Sequence, residues 1–239
     1  MKKTDISEKN KGKKMSFIGH LEELRKRIIV VLAVFAVAFG SFYPFRGKIL
    51  ELLTRPLTNK ELVFLDITEP FLVNLKLASI AAAMVVMPLV IFQVLAFLFP
   101  AFSEKIKKRV IIIGILFFIL FFGGIAFSYY FLIPVAVKWL LSQSSGLTQT
   151  LSVSKYITLI GWFLIGTGII FELPLILLFL IKINILIVKQ LRKKWRIVYI
   201  VILVICAIIT PDWSPVTMGL LAVPMILLYE LSLILAKFF

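Results

Sequence analysis

"SFIGHLEELRKRIIVVLAVFAVAFGSFYPF", residues 16–45, joins a charged dodecamer to a run from Ile28 to Phe45 that carries no charge. At about 3.6 residues per turn, its first part reads as a helix. Phe17, Leu21, Leu24 and Ile28 fall on an apolar stripe, and His20, Glu23 and Arg27 share a second face. Glu22 and Glu23 each precede a cation by four residues, Lys26 and Arg27, an order worth about 0.2–0.5 kcal/mol per pair. The run that follows is slightly short of the roughly 20 residues that cross a hydrocarbon core of about 30 Å. A helix N-capped by Ser16 is therefore expected to lie on the membrane surface and then turn into a first span. Carboxylates are out of place there, because the anionic cytoplasmic face repels them. An acidic pair on a basic surface is, however, a natural seat for a guanidinium, which a carboxylate matches bidentately.

The remainder of the chain extends this pattern. It is 61% hydrophobic and only 16% charged, whereas soluble domains carry roughly a quarter charged residues. The sequence thus predicts an all-α integral membrane protein of six spans, at about 28–45, 71–99, 110–137, 156–181, 197–209 and 215–236. The fifth is the shortest: at about 1.5 Å per residue it reaches only about 20 Å, so it must thin the bilayer or sit within protein. Helices five and six are both short. The +15 net charge lies between the apolar blocks and forms no basic, aromatic-studded face, so nucleic acid is not an expected partner. Cys206 alone supports neither a disulfide framework nor a thiolate metal cage, and no cofactor is expected.

Residues 1–15 read as a disordered basic leader, and 16–239 as a single membrane domain. No small-x-small site follows the first apolar run, and five further spans do, so a cleaved signal peptide is not expected. Lysines and arginines number 20 in one alternate set of connections and 7 in the other. By the positive-inside rule both termini are cytoplasmic. The long external connection holds "KILELLTRPL" (48–57), with Pro56 in its turn, as an amphipathic cap over the bundle. Thr68, Glu69 and Pro70 mark the start of the second span. In "TPDWSP" (210–215), Ser214 is the expected N-cap and Pro215 the first helical residue. Three inward-running spans share "MPLVIF" (87–92), "LPLILLF" (173–179) and "VPMILLY" (223–229). Prolines at 88, 174 and 224 each favour a kink, which predicts a concave bundle.

Polar groups within the apolar runs are few. Glu172 interrupts a stretch otherwise uncharged from Tyr156 to Ile181, where a carboxylate costs on the order of 2.5–3.5 kcal/mol. It serves as a proton carrier, as a neutral hydrogen-bonding handle, or as a partner for backbone groups freed by Pro174. Gln93 and Glu230 sit near cytoplasmic helix ends, Lys76 and Lys182 are placed to snorkel, and Asp212 occupies a turn. There is one histidine, no metal-ligand motif, no phosphate loop and no nucleophile elbow. The chain is not expected to be an enzyme.

Six words of the sequence resemble the TatC family, the multispanning receptor subunit of the twin-arginine protein translocase. They are "HLEELRKR" (20–27), "TEPFLVNLKL" (68–77), "FQVLAFLFPAF" (92–102), "FELP" (171–174), "TPD" (210–212) and "LLAVPMILLYE" (220–230). They cover the chain in order. The resemblance implies a bacterial-type plasma-membrane receptor that binds twin-arginine signal peptides of folded cargo and nucleates a translocon driven by the proton-motive force. Its implied partners are single-span TatA/TatB-type proteins, in a larger complex that contains further copies of the chain. The family's signal-peptide site falls here on Glu23 and Arg25, with Glu22 beside them. A second family glutamate lies six residues after the proline closing helix two. Pro100 puts Ile106 there, and the nearest carboxylate is Glu104, about 200° away on a helix. Glu172 matches the family's intramembrane glutamate, which faces the partner helices. The alternative from another class is a proton-coupled small-solute transporter with Glu172 as relay; such folds usually carry internal repeats, and none is evident here.

Overall fold

The structure, a computed structural model, describes residues 17–57, 62–98, 110–143, 150–182, 185–210 and 214–236. The leader, Ser16, Pro100, Glu104 and Asp212 lie outside the described residues.

Helix α1 (Phe17–Phe42) runs unbroken through the charged segment and the apolar run. The expected turn between surface helix and span does not exist. No proline falls between 17 and 42, so nothing removes a backbone bond from the ladder. A 3₁₀ turn at Tyr43–Phe45, containing Pro44, leads into α2 (Arg46–Thr54). As expected, this segment lies against the bundle. Leu53 is buried, Tyr156 donates its hydroxyl to the Leu53 carbonyl (3.0 Å), and Tyr129 to that of Leu52 (2.7 Å). Pro56 sits in the turn closed by the Leu57 N–H on the Thr54 carbonyl (2.9 Å).

One element departs from the purely helical expectation: β1 (Leu62–Val63) pairs in parallel with β2 (Leu151–Ser152). Helix α3 (Glu69–Leu98) starts at the predicted Thr68-Glu69-Pro70 and contains Pro88. Helices α4 (Val110–Phe127) and α5 (Ile133–Ser142) are joined by a π turn, Ser128–Leu132, just ahead of Pro134. A wider turn at this point accommodates a proline that has no N–H to give. Helix α6 (Val153–Phe171) and α7 (Leu173–Lys182) meet at Glu172, so the predicted kink at Pro174 is an interruption of the helix. Around Pro88 and Pro224 the helices continue. A short α8 (Val188–Lys193) precedes α9 (Trp195–Ile209) and α10 (Pro215–Leu235). Ser214 caps α10 as expected, accepting from the Thr217 N–H at 3.1 Å.

Among the described residues, five helical stretches are long and apolar enough to cross a membrane: Gly19–Thr54, Glu69–Val94, Gly114–Ser142, Val153–Ile181 and Pro215–Ile234. Helix α9, with 15 residues, reaches about 22 Å. The core sits around α6, where Tyr156, Ile157, Ile160, Phe163, Leu164 and Ile170 are all buried. Helices α3, α4, α9 and α10 pack against α6, and α1 packs along α3. A helix apolar on every side belongs in such a centre. By contrast, none of the span in α1 is buried.

Small residues let these helices approach, as membrane packing requires. A Cβ at Gly124 would lie 2.8 Å from the Thr167 carbonyl oxygen and 2.9 Å from Phe171 Cβ, whereas one at Gly123 meets nothing within 4 Å. Gly124→Ala is therefore expected to destabilise the protein by about 1–3 kcal/mol, the cost of overpacking, with Gly123→Ala near neutral. Unfolding in mixed micelles tests this. Equal effects at the two positions would mean that α4 and α6 do not touch through Gly124.

Candidate functional site

The charged segment of α1 meets the C-terminal part of α3 in a small cleft. Arg27 is its hub. The guanidinium donates through Nε and Nη2 to Glu23 Oε1, the former at 3.0 Å, and through Nη1 to Gln93 Oε1. Glu23 and Arg27 are 23% and 24% exposed, so the pair is partly withdrawn from water. One turn earlier, the His20 ring stacks on Phe97 at 4.1 Å between centroids. The cleft beside the pair holds about 170 Å³ and is walled by Leu24, Ile28, Val31, Val90 and Phe97. Glu23 Oε2 is buried and has no hydrogen-bond partner in the protein.

The predicted common face of His20, Glu23 and Arg27 is therefore the face α1 presents to α3. The apolar stripe is not a core face: Leu21 and Ile28 are each 49% exposed. Of the two expected ion pairs, Glu23–Arg27 forms and Glu22–Lys26 does not. Glu22 and Arg25 are exposed on the other side of α1, so neither joins Glu23 in the cleft. Gln93, grouped by sequence with the intramembrane polar residues, is instead a wall of the Glu23 site.

Glu172 lies elsewhere. It closes α6, its N–H donating to the Ile169 carbonyl (3.1 Å) and its carbonyl accepting from Ile176 (3.0 Å). The side chain is completely buried, and neither carboxyl oxygen has a partner. It does not serve the backbone groups freed by Pro174. Ser128 Oγ and Thr167 Oγ1 are likewise buried without partners. Ser128 stands one turn beyond Gly124, which packs on Thr167 and Phe171, and Glu172 follows Phe171.

Glu69 and Glu230 serve the architecture. Ahead of the apolar run that opens at Phe71, the Glu69 carboxylate accepts from the Ser152 hydroxyl (2.6 Å), the Ser154 N–H (2.8 Å) and the Leu65 N–H. These three donors engage both of its oxygens. The carboxylate ties the connection around β1 to the start of α6. Thr68 supplies a carbonyl to the Leu72 N–H (3.2 Å). Glu230 accepts from the Tyr199 hydroxyl (2.9 Å), joining α9 to α10. No group of three or more potential metal ligands occurs among the described residues.

Comparison with known proteins gives one answer. A family model described as "Sec-independent protein translocase protein (TatC)" matches residues 19–224. The chain is 36% identical to the Sec-independent protein translocase protein TatC of Koribacter versatilis, covering 92% of this chain and 84% of that one. With the TatC of Aquifex aeolicus it shares 32% identity over 93% of this chain and 95% of the other. A crystal structure titled as the twin-arginine translocase receptor TatC in DDM superposes with a TM-score of 0.80, at 31% identity, over 91% of this chain and 99% of that one.

Proposed function

Because the chain belongs to the TatC family of Sec-independent protein translocase proteins, we propose that it is the receptor that binds twin-arginine signal peptides in the cleft between α1 and α3. It is a multi-pass helical membrane protein of the Tat system and not an enzyme. In this reading both termini are cytoplasmic, as the distribution of cations favours, and α9 is a sixth span crossing a thinned bilayer. The membrane is a bacterial-type plasma membrane. Single-span TatA/TatB-type proteins and further copies of the chain assemble around the receptor, and the proton-motive force drives passage of folded cargo.

The observation that carries the proposal is the Glu23–Arg27–Gln93 cluster. A carboxylate there is already paired with a guanidinium that lines an apolar cleft, and its second oxygen is buried without a partner. That is the chemistry an arginine-bearing peptide requires. The apolar walls suit the hydrophobic part of such a peptide. Glu22, exposed on α1, attracts the cationic peptide as it approaches, and Arg25 beside it offers donors to the peptide's carbonyl groups.

A photocrosslinker at position 24, on the cleft wall beside an intact Glu23, tests the proposal in inverted membranes against a reporter signal peptide carrying either its arginine pair or two lysines. Crosslinks are expected with arginines and at most weakly with lysines. Equal crosslinking of both peptides, or binding detected only elsewhere on the protein, would remove Glu23 from the site.

A further inference from the structure

Near the opposite end of α3, Lys76 has no anionic partner. Its ammonium donates to Ser154 Oγ (2.6 Å) and Thr158 Oγ1 (3.0 Å), both on α6. The Thr158 proton is used on the Ser154 carbonyl (2.7 Å). An ammonium carries three protons, so one remains after the two hydroxyls are served. Among the described residues the ion pairs are Glu23–Arg27 and Glu51–Arg55, and neither involves Lys76. Glu69, the acid next in sequence, is occupied by its three donors. Snorkelling explains why a lysine is tolerated here, but not why two hydroxyls hold its head in place.

The fixed ammonium stands in a groove of about 520 Å³ between α3 and α6, whose lining includes Leu72, Leu75, Ile80, Met87 and Trp162. These walls are open: Leu72 is 47% and Trp162 56% exposed. From Lys76 to Met87 the groove follows α3 for about 16 Å, close to half of a hydrocarbon core of roughly 30 Å. Its length is that of one leaflet. A fixed cation at one end of an apolar groove of that length matches a phosphate carried at the end of an acyl chain.

We infer that the groove between α3 and α6 binds an anionic phospholipid of the leaflet on the side of residues 46–70. Its phosphate sits on Lys76 with Ser154 and Thr158 beside it, and one acyl chain lies along Leu75, Ile80 and Met87. This site is separate from the Glu23 cleft and independent of the receptor reading.

The test uses the full chain in vesicles of phosphatidylcholine with a minority of phosphatidylglycerol, brominating one lipid at a time. Quenching of Trp162 is isolated by subtracting the Trp162→Phe protein. Local enrichment of phosphatidylglycerol by about fivefold is expected, the factor that one lysine near an anionic surface supplies. Lys76→Gln keeps hydrogen-bonding capacity without charge and should bring the enrichment down to the vesicle average, while Lys76→Arg should retain it. No enrichment in the wild type, or enrichment unchanged in Lys76→Gln, overturns the proposal. So does a photocrosslinker at position 162 that captures a membrane protein rather than lipid.

Discussion

Glu23→Ala is expected to weaken binding of a twin-arginine signal peptide by one to two orders of magnitude without unfolding the protein. Hydrogen bonds to a charged group contribute about 1.5–3 kcal/mol, which is roughly tenfold to a hundredfold in Kd. The fold should survive because the Glu23–Arg27 pair is about a quarter exposed and such pairs add at most about 1 kcal/mol to stability. Arg27 also keeps its bond to Gln93. The partner substitution has the opposite sign. Arg27 already neutralises the Glu23 carboxylate that an incoming arginine would use, so Arg27→Ala removes an internal competitor and is expected to tighten binding. Titration of a labelled peptide into the protein in nanodiscs checks both. Equal losses in the two variants would mean that the pair is only a brace between α1 and α3.

Legibility in the sequence followed locality. Ser214 and Pro215 declared the start of α10 because a cap and a first-turn proline act within one turn, and Thr68-Glu69-Pro70 did the same for α3. The family was readable because its motifs are short words in a fixed order. Contacts distant along the chain were not readable. Gln93 lies 66 residues from Arg27, and nothing beside it distinguishes an amide that bonds a guanidinium on α1 from one reaching for the interface. A signal was present in retrospect: Gln93 and Phe97 are four apart on α3, facing Arg27 and His20 on α1. Helix α1 continues where a turn is expected because a change from charged to apolar residues carries no change of direction. A helix has no reason to bend where its backbone bonds are intact. Pairing of β1 with β2 involves two residues in each strand, too few for any alternation to register.

The second large effect concerns Glu172, where stability and export are expected to move in opposite directions. Its two carboxyl oxygens, with Ser128 Oγ and Thr167 Oγ1, are buried without partners in the protein. Folded proteins leave few groups in that condition, and each costs about 1–3 kcal/mol. Glu172→Leu fills the same interior with no polar atom to satisfy, so it should raise stability by a comparable amount, read as a higher midpoint of unfolding in detergent. Export should nevertheless fall steeply, because a polar group kept at such a cost and fully buried in this state is accounted for by a rearrangement during assembly that brings it to a partner. Glu172→Gln retains a hydrogen-bonding head and should preserve more export than Leu. Glu172→Lys puts an unpaired cation in the same interior and should lose both stability and export. The measurement is export of a twin-arginine reporter in cells whose only copy is the variant, alongside unfolding of the purified protein. Equal loss of export with Gln and Leu would show that ionisation, rather than hydrogen bonding, is the required property. A Leu variant that is less stable yet exports normally would show the opposite assignment, a carboxyl that supports the fold and takes no part in transport.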